Sequence, residues 1–421
     1  MWRPCQKFLK QHKTKIITME RATLRILMIS DVYFPRVNGV STSIYTFRQH
    51  LISQGHHVTL IVPEYRDVIE DDENIIRIPS RYVPLDPEDR MLKQGEILRK
   101  IPELIEKKFD ILHIQTPFVA HYAGIKIAKK LDIPCLVTYH TFFEEYLYNY
   151  IPFVPKSWLK MLAKRFSTRQ CNEVDAVIAP SMPIEQRLKE YGVTTPITKL
   201  PTGIDLERFK GGDGLSFRES HNISLHRPVM VYVGRVAHEK NIDFLLHVLN
   251  KVREKIPNVL LVIAGEGPAE IHLRKLVRKL DLEANVCFVG YLDRNSELLD
   301  CYKAGDVFVF ASRTETQGLV LLEAMALGVP VVSTAVLGTA DVLTQGEGVL
   351  IADDDLEHFS YTVVRALMSE ELRESLQHSA LEYVKGWSAE RCLHELELFY
   401  LRVHRQYLQP PHSDESLAER I

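Results

Sequence analysis

The chain has 421 residues and a formal net charge of −3 at pH 7, too long for one ordinary core and too balanced for the basic field of a nucleic-acid binder. Hydrophobic residues at 46% and charged residues at 25% match a globular protein and exclude disordered, collagenous and coiled-coil classes. No uncharged apolar run reaches the roughly 18 residues of a membrane-spanning helix. The cysteines Cys5, Cys135, Cys171, Cys287, Cys301 and Cys392 form no C-x-x-C pair, which fits a reduced, cytoplasmic chain with neither a disulfide framework nor a zinc site.

Residues 1–21 carry six basic residues against one acidic and no apolar stretch long enough for a signal peptide. They read as a basic extension, or as sequence upstream of a start at Met19. From Arg25 strands and helices alternate, the pattern of parallel sheets with crossover helices. Strands are expected at 25–30, 57–62, 110–115, 134–139 and 176–179, with a helix over 40–54 closed by Gly55. This first doubly wound domain spans 22–205. Residues 206–228 have the Gly/Pro composition of a linker. The alternation restarts over 229–385, with buried strands at 229–233, 259–264, 286–289, 307–310 and 329–333 and helices between them. A last helix and polar tail fill 386–421. The expected fold is α/β, two Rossmann-like doubly wound domains facing across a cleft, with ligands at the carboxyl ends of both sets of strands.

Glu315 and Glu323 are the sharpest chemical feature, because Glu323 interrupts an otherwise uncharged run and a buried carboxylate needs a polar partner. A helix would hold them about 12 Å apart, too far for a glycosidase pair. They suit two parts of one extended ligand, or else a capping Glu and a core Glu bonded to a loop. Thr316, Gln317 and Gly318 open the helix that carries Glu323 and offer its free N–H groups to a phosphate. Arg235 and Lys240 follow a strand and suit a diphosphate, or solvate a loop. Asn38-Gly39 can take positive φ and bring backbone near a ligand, whereas Gly265-Glu266-Gly267 reads as a turn. The acids at 353–355 read as a helix cap rather than a metal site. His113 and His140 each end a strand, as cleft or core residues, with position favouring His140. Residues 147–172 contain five basic residues and no acid. On a helical wheel Lys156, Lys160 and Lys164 share one side and Trp158, Leu159, Met161, Leu162 and Phe166 the other, with Arg165 and Arg169 on the border. This describes either an anionic-membrane-binding helix or a surface helix packed by its apolar face.

Together these segments resemble the retaining family 4 glycosyltransferases, which have the two-domain GT-B architecture. ETQGLVLLEAMALGVP (315–330) resembles the family's E-x7-E element, and GRVAHEKN (234–241) its donor-phosphate segment. PRVNGV (35–40) is similar to its glycine loop and YHT (139–141) to its His motif. YHTFFEEY (139–146), with the basic helix, is similar to the diacylglycerol glucosyltransferases and related glycolipid mannosyltransferases. The resemblance implies that Arg235 and Lys240 neutralise the diphosphate and that Glu315 holds hydroxyls of the donor sugar. Residues 316–319 would supply backbone contacts and Glu323 would bind the ribose. Tyr291 falls in the base-binding segment, Gly39 lies over the donor and His140 beside the transferred sugar. It implies further a nucleotide-sugar donor, UDP-glucose or alternatively GDP-mannose, and no required cofactor or metal. The partners would be a lipid acceptor and an anionic membrane surface, without nucleic acid, the enzyme being peripheral on the cytoplasmic face. A soluble or polysaccharide acceptor is the alternative within the class. A sugar-nucleotide epimerase is a more distant one, needing acid/base carboxylates the sequence does not obviously supply.

Overall fold

Short apolar strands, β1 (Arg25–Ile29), β2 (His57–Pro63), β3 (Ile75–Ile78), β6 (Ile111–Ile114), β7 (Cys135–Thr138), β8 (Ala176–Ala179) and β9 (Ile197–Lys199), form a parallel sheet in the order 3-2-1-6-7-8-9. Their central members are largely apolar and buried because helices cover both faces. A small antiparallel hairpin, β4 (Ser80–Val83) with β5 (Asp86–Leu92), sits beside it. This computed structural model describes residues 23–65, 72–83, 86–140, 155–294, 296–344 and 346–409. The expected extension 1–21, part of the YHTFFEEY segment and the end of the polar tail lie outside the described residues.

The second sheet is parallel too, in the order 12-11-10-13-14-15. It contains β10 (Val229–Val233), β11 (Leu260–Ala264), β12 (Val286–Gly290), β13 (Val307–Phe310), β14 (Val331–Ser333) and β15 (Val349–Ile351). Strand β12, expected to be buried, is only half-buried because it forms the sheet edge. In each sheet the chain order reverses once, between β1 and β6 and between β10 and β13. These switch points are where doubly wound folds open a crevice at the strands' carboxyl ends.

Two sequence expectations are corrected here. Residues 206–228 are not a bare linker: Phe209, Phe217 and Ile223 join the core of the second domain. Within that stretch the helix Gly214–Ser220 carries Arg218, whose guanidinium donates to the carbonyls of Ala304, Ser224, Leu225 and Arg227 and pairs with Asp306. Residues 386–421 are not an appendage either. The helix Ala389–Leu408, N-capped by Ser388, returns to the first domain. Its Leu393, Leu396, Phe399 and Tyr400 join one core cluster with Leu24, Met28, Ile44 and Leu60. The outgoing and returning chain pair where they cross: Ile204 N donates to Trp387 O at 2.9 Å and Ala389 N to Ile204 O at 2.7 Å.

Because Leu396 is fully buried in that shared cluster, Leu396→Ala is expected to destabilise the first domain by about 2–5 kcal/mol. A lowered denaturant midpoint for its unfolding transition, with the second domain's transition unmoved, checks this.

Candidate functional site

The carboxyl ends of β10 and β13 face each other at the second sheet's switch point, and each is followed by a loop carrying charge. After β10 come Gly234, Arg235 and a 3-10 turn, His238–Lys240. After β13 come Thr314, Glu315 and the turn into the helix Leu319–Ala326. The Asn241 amide donates to Ala311 O at 3.1 Å and fastens the loops together. Lys240 Nζ lies 2.5 Å from Glu315 Oε1, both partly buried, and Arg235 lies 3.4 Å from Glu239. Gly265 permits a close approach from β11: its φ is +129°, and a Cβ there would stand 2.0 Å from Gly234 O. Gly318, at φ +87°, turns the chain so that the helix begins at the site and leaves its first N–H groups open there.

Glu323, 2% exposed on that helix, receives Arg294 Nη2 at 2.7 Å on Oε1 and the Tyr302 hydroxyl at 2.9 Å on Oε2. The carboxylate beside Arg294 raises the guanidinium's pKa above its ordinary value. A two-oxygen carboxylate has about four lone-pair sites, so further acceptor capacity remains.

The first domain meets the turn at 316–317 directly. Thr316 Oγ1 donates to His140 O at 3.1 Å, Ser181 Oγ donates to Thr316 O at 2.7 Å, and Thr202 N donates to Gln317 Oε1 at 3.0 Å. The result is an interdomain cavity of about 720 Å3, within the range of small-molecule sites. Its lining brings together Gly39 and His140 from the first domain with Arg235, Lys240, Tyr291, Glu315, Thr316, Gln317, Gly318, Leu319 and Glu323 from the second. Sequence reasoning missed Arg36, Arg90, Glu239, Glu266 and Arg294, which also line it. Arg294 could have been sought as a cation in the loop after β12.

Other expectations need correction. Neither Asn38 nor Gly39 has positive φ; Asn38 is extended and N-caps the helix Gly39–Ser53 in a reciprocal pair with Ser41. Gly265 and Glu266 are not merely a turn, since both face the cavity. His113 is core, fully buried. The reading of 353–355 as a helix cap holds, since Asp355 caps the following helix and accepts from His358 N. The helix Lys156–Cys171 does not pack by the whole apolar side of the wheel. Leu159, Ala163 and Ser167 are buried, whereas Trp158, Met161 and Leu162 are 62%, 57% and 51% exposed. Lys160, Lys164 and Arg165 are exposed with them. The Lys156 side chain lies outside what is described. Among the described residues no helix is long and apolar enough to cross a membrane.

Residues 37–208 match the family described as Glycosyltransferase Family 4, and residues 215–382 that described as Glycosyl transferases group 1. The chain is 35% identical over 320 residues to an alpha-monoglucosyldiacylglycerol synthase of Streptococcus pneumoniae, covering 74% of this chain and 71% of that protein. It is 28% identical over 339 residues to a GDP-mannose-dependent alpha-mannosyltransferase of Corynebacterium glutamicum, covering 78% and 77%. The fold matches Anabaena HepE in complex with UDP and glucose at a TM-score of 0.71, 14% identity, and 90% and 100% coverage of the two chains.

Burial pushes the His140 imidazole down to about 4 and the His113 imidazole well below its usual value. From about pH 6.5 down to about 4 the unfolded chain therefore binds protons that the folded rings refuse. Over that range the His140 ring withdraws up to about 1.4 kcal/mol of stability per pH unit, and the buried His113 ring acts in the same direction. Asp31, raised to about 6 by burial, opposes them with one proton retained in the fold. The net expectation is a melting temperature that falls as pH is lowered from 7 to 5, measurable by thermal scans in matched ionic strength.

Proposed function

Because this chain belongs to the retaining family 4 glycosyltransferases, we propose that it moves glucose from UDP-glucose to diacylglycerol or a similar lipid alcohol, working as a peripheral protein on the cytoplasmic face of an anionic membrane. The observation carrying this reading is the single cleft that collects Arg235, Lys240, Glu315, Glu323 and His140. The helix Lys156–Cys171 adds support for the lipid acceptor, because its exposed side mixes a tryptophan with basic residues, as helices on anionic lipid surfaces do. The name of the pneumococcal relative points the same way.

In this reading the donor diphosphate lies against Arg235, Lys240 and the open N–H groups at 318–319, with Gly39 over it. Its arrival takes Lys240 from Glu315, and the freed carboxylate accepts hydroxyls of the sugar. Glu323, held by Arg294 and Tyr302, accepts from the ribose, and Tyr291 lies along the base. The bond from the anomeric carbon to the diphosphate breaks with its electron pair leaving on phosphate oxygen. The acceptor hydroxyl forms the new bond on the same face, and its proton passes to the departing phosphate. Fixed positive charge on the leaving group and exclusion of water supply most of the transition-state stabilisation. A second reading, mannosyl transfer from GDP-mannose, is favoured by the corynebacterial relative.

Release of nucleoside diphosphate from UDP- and GDP-sugars, with and without diacylglycerol in anionic vesicles, tests the proposal. UDP-glucose turnover that rises with lipid is expected. Turnover with GDP-mannose alone replaces the donor, and turnover indifferent to lipid removes the membrane acceptor. Lys240→Ala and Glu315→Ala are expected each to lower kcat by about a hundredfold or more, with unchanged thermal unfolding as the fold control. Replacing Lys160, Lys164 and Arg165 together by Ala is expected to cost roughly 3 kcal/mol of vesicle binding, read by sedimentation with anionic liposomes.

A further inference from the structure

A buried chain of hydrogen bonds runs from the C-terminal helix to the rim of the cleft. The Tyr400 hydroxyl, on the helix Ala389–Leu408, lies 2.5 Å from His113 Nδ1. His113 Nε2 lies 2.7 Å from Thr138 Oγ1. Gln115 Nε2 lies 2.9 Å from the same His113 Nδ1, and Gln115 Oε1 lies 3.0 Å from His140 Nε2. Tyr400, His113 and Gln115 are fully buried and Thr138 nearly so.

The direction of each bond follows by elimination. A buried phenol hydrogen needs an acceptor, and among the described residues Tyr400 has none but His113 Nδ1. That nitrogen therefore carries no proton, and the His113 proton sits on Nε2 and is donated to Thr138. A second group facing a bare Nδ1 must bring an N–H, so Gln115 turns its amide NH2 to His113 and its carbonyl to His140. A carbonyl oxygen only accepts, so the His140 proton is on Nε2. Nδ1 is left as the ring's acceptor.

We propose that Tyr400, His113 and Gln115 are positioning residues that hold His140 as its Nε2–H tautomer, so that the ring offers the substrate an acceptor for a hydroxyl group. This rests on the reading above that His140 stands beside the transferred sugar. The burial that keeps both imidazoles neutral keeps the chain of bonds intact at neutral pH. One phenol on the last helix thus dictates the proton position of a cleft histidine 260 residues earlier in sequence.

The test uses the full chain with nitrogen-15-labelled histidine, His140 being assigned by its loss in His140→Gln. Two-bond proton–nitrogen spectra are expected to show wild-type His140 as a single Nε2–H tautomer. In Gln115→Met it becomes a tautomer mixture, and kcat falls about tenfold or more while the donor KM stays within about twofold. Tyr400→Phe, one oxygen smaller, moves both readouts in the same direction and carries the test where Gln115→Met does not fold. An Nδ1–H tautomer in the wild type overturns the proposal. So do unchanged tautomer and kcat in Tyr400→Phe and in any Gln115→Met that folds, where His140→Gln alone loses transfer. Wild-type transfer in His140→Gln instead removes the site reading, and the proposal with it.

Discussion

Everything in the cleft depends on the short turn that carries Glu315, Thr316, Gln317 and Gly318. On its second-domain side it holds Lys240 by a partly buried ion pair. On its first-domain side the next two residues bond to His140, Ser181 and Thr202. The same four residues thus set the charge of the site and the approach of the two domains. Backbone crowding leaves little slack, since a Cβ at Gly338 would stand 2.1 Å from the Thr316 carbonyl carbon. An arrangement of this kind lets interdomain contact and ligand contact stabilise one geometry rather than compete.

Buried charge is handled in pairs throughout the second domain. A lone carboxylate inside the helix Leu319–Ala326 would be costly to desolvate. Arg294 and Tyr302 satisfy it from the loop after β12 and from the helix Glu297–Ala304. Before any ligand arrives the site is therefore already neutralised internally, Lys240 by Glu315 and Arg235 by Glu239. A bound anion has to compete with Glu315 and Glu239 for these two cations, and it adds its own negative charge to the cleft.

Much of this was legible in sequence, for identifiable reasons. Strands buried on both faces are long apolar runs, so β1, β2, β10, β11 and β13 stand out. The edge strands β3, β9 and β15 have three or four residues each and half-exposed side chains, too little pattern to read. Glu323 was legible because it breaks an apolar run, and Arg235, Lys240 and Glu315 because they lie in the loops that follow the apolar strands β10 and β13. Arg294 and Gln115 were not, because the role of each comes from a partner on another element, Glu323 for Arg294 and His140 for Gln115. The helix Lys156–Cys171 shows a limit of the wheel: periodicity separates apolar from basic residues but does not say which apolar positions find a neighbour. The segment 206–228 misled for a related reason, since its glycines permit close packing against the helix Glu297–Ala304 as readily as they permit a flexible tether.

The paired crossing at Ile204 and Ser388 also has a mechanical meaning. Two covalent connections that run side by side and share backbone hydrogen bonds behave as a single pivot. Gly203, whose Cβ would stand 2.9 Å from Trp387 O, lets them lie that close. A single tether would leave one lobe free to swivel and twist against the other. A doubled one resists that swivel and twist, because turning one lobe about the other would pull apart the hydrogen bonds the two connections share.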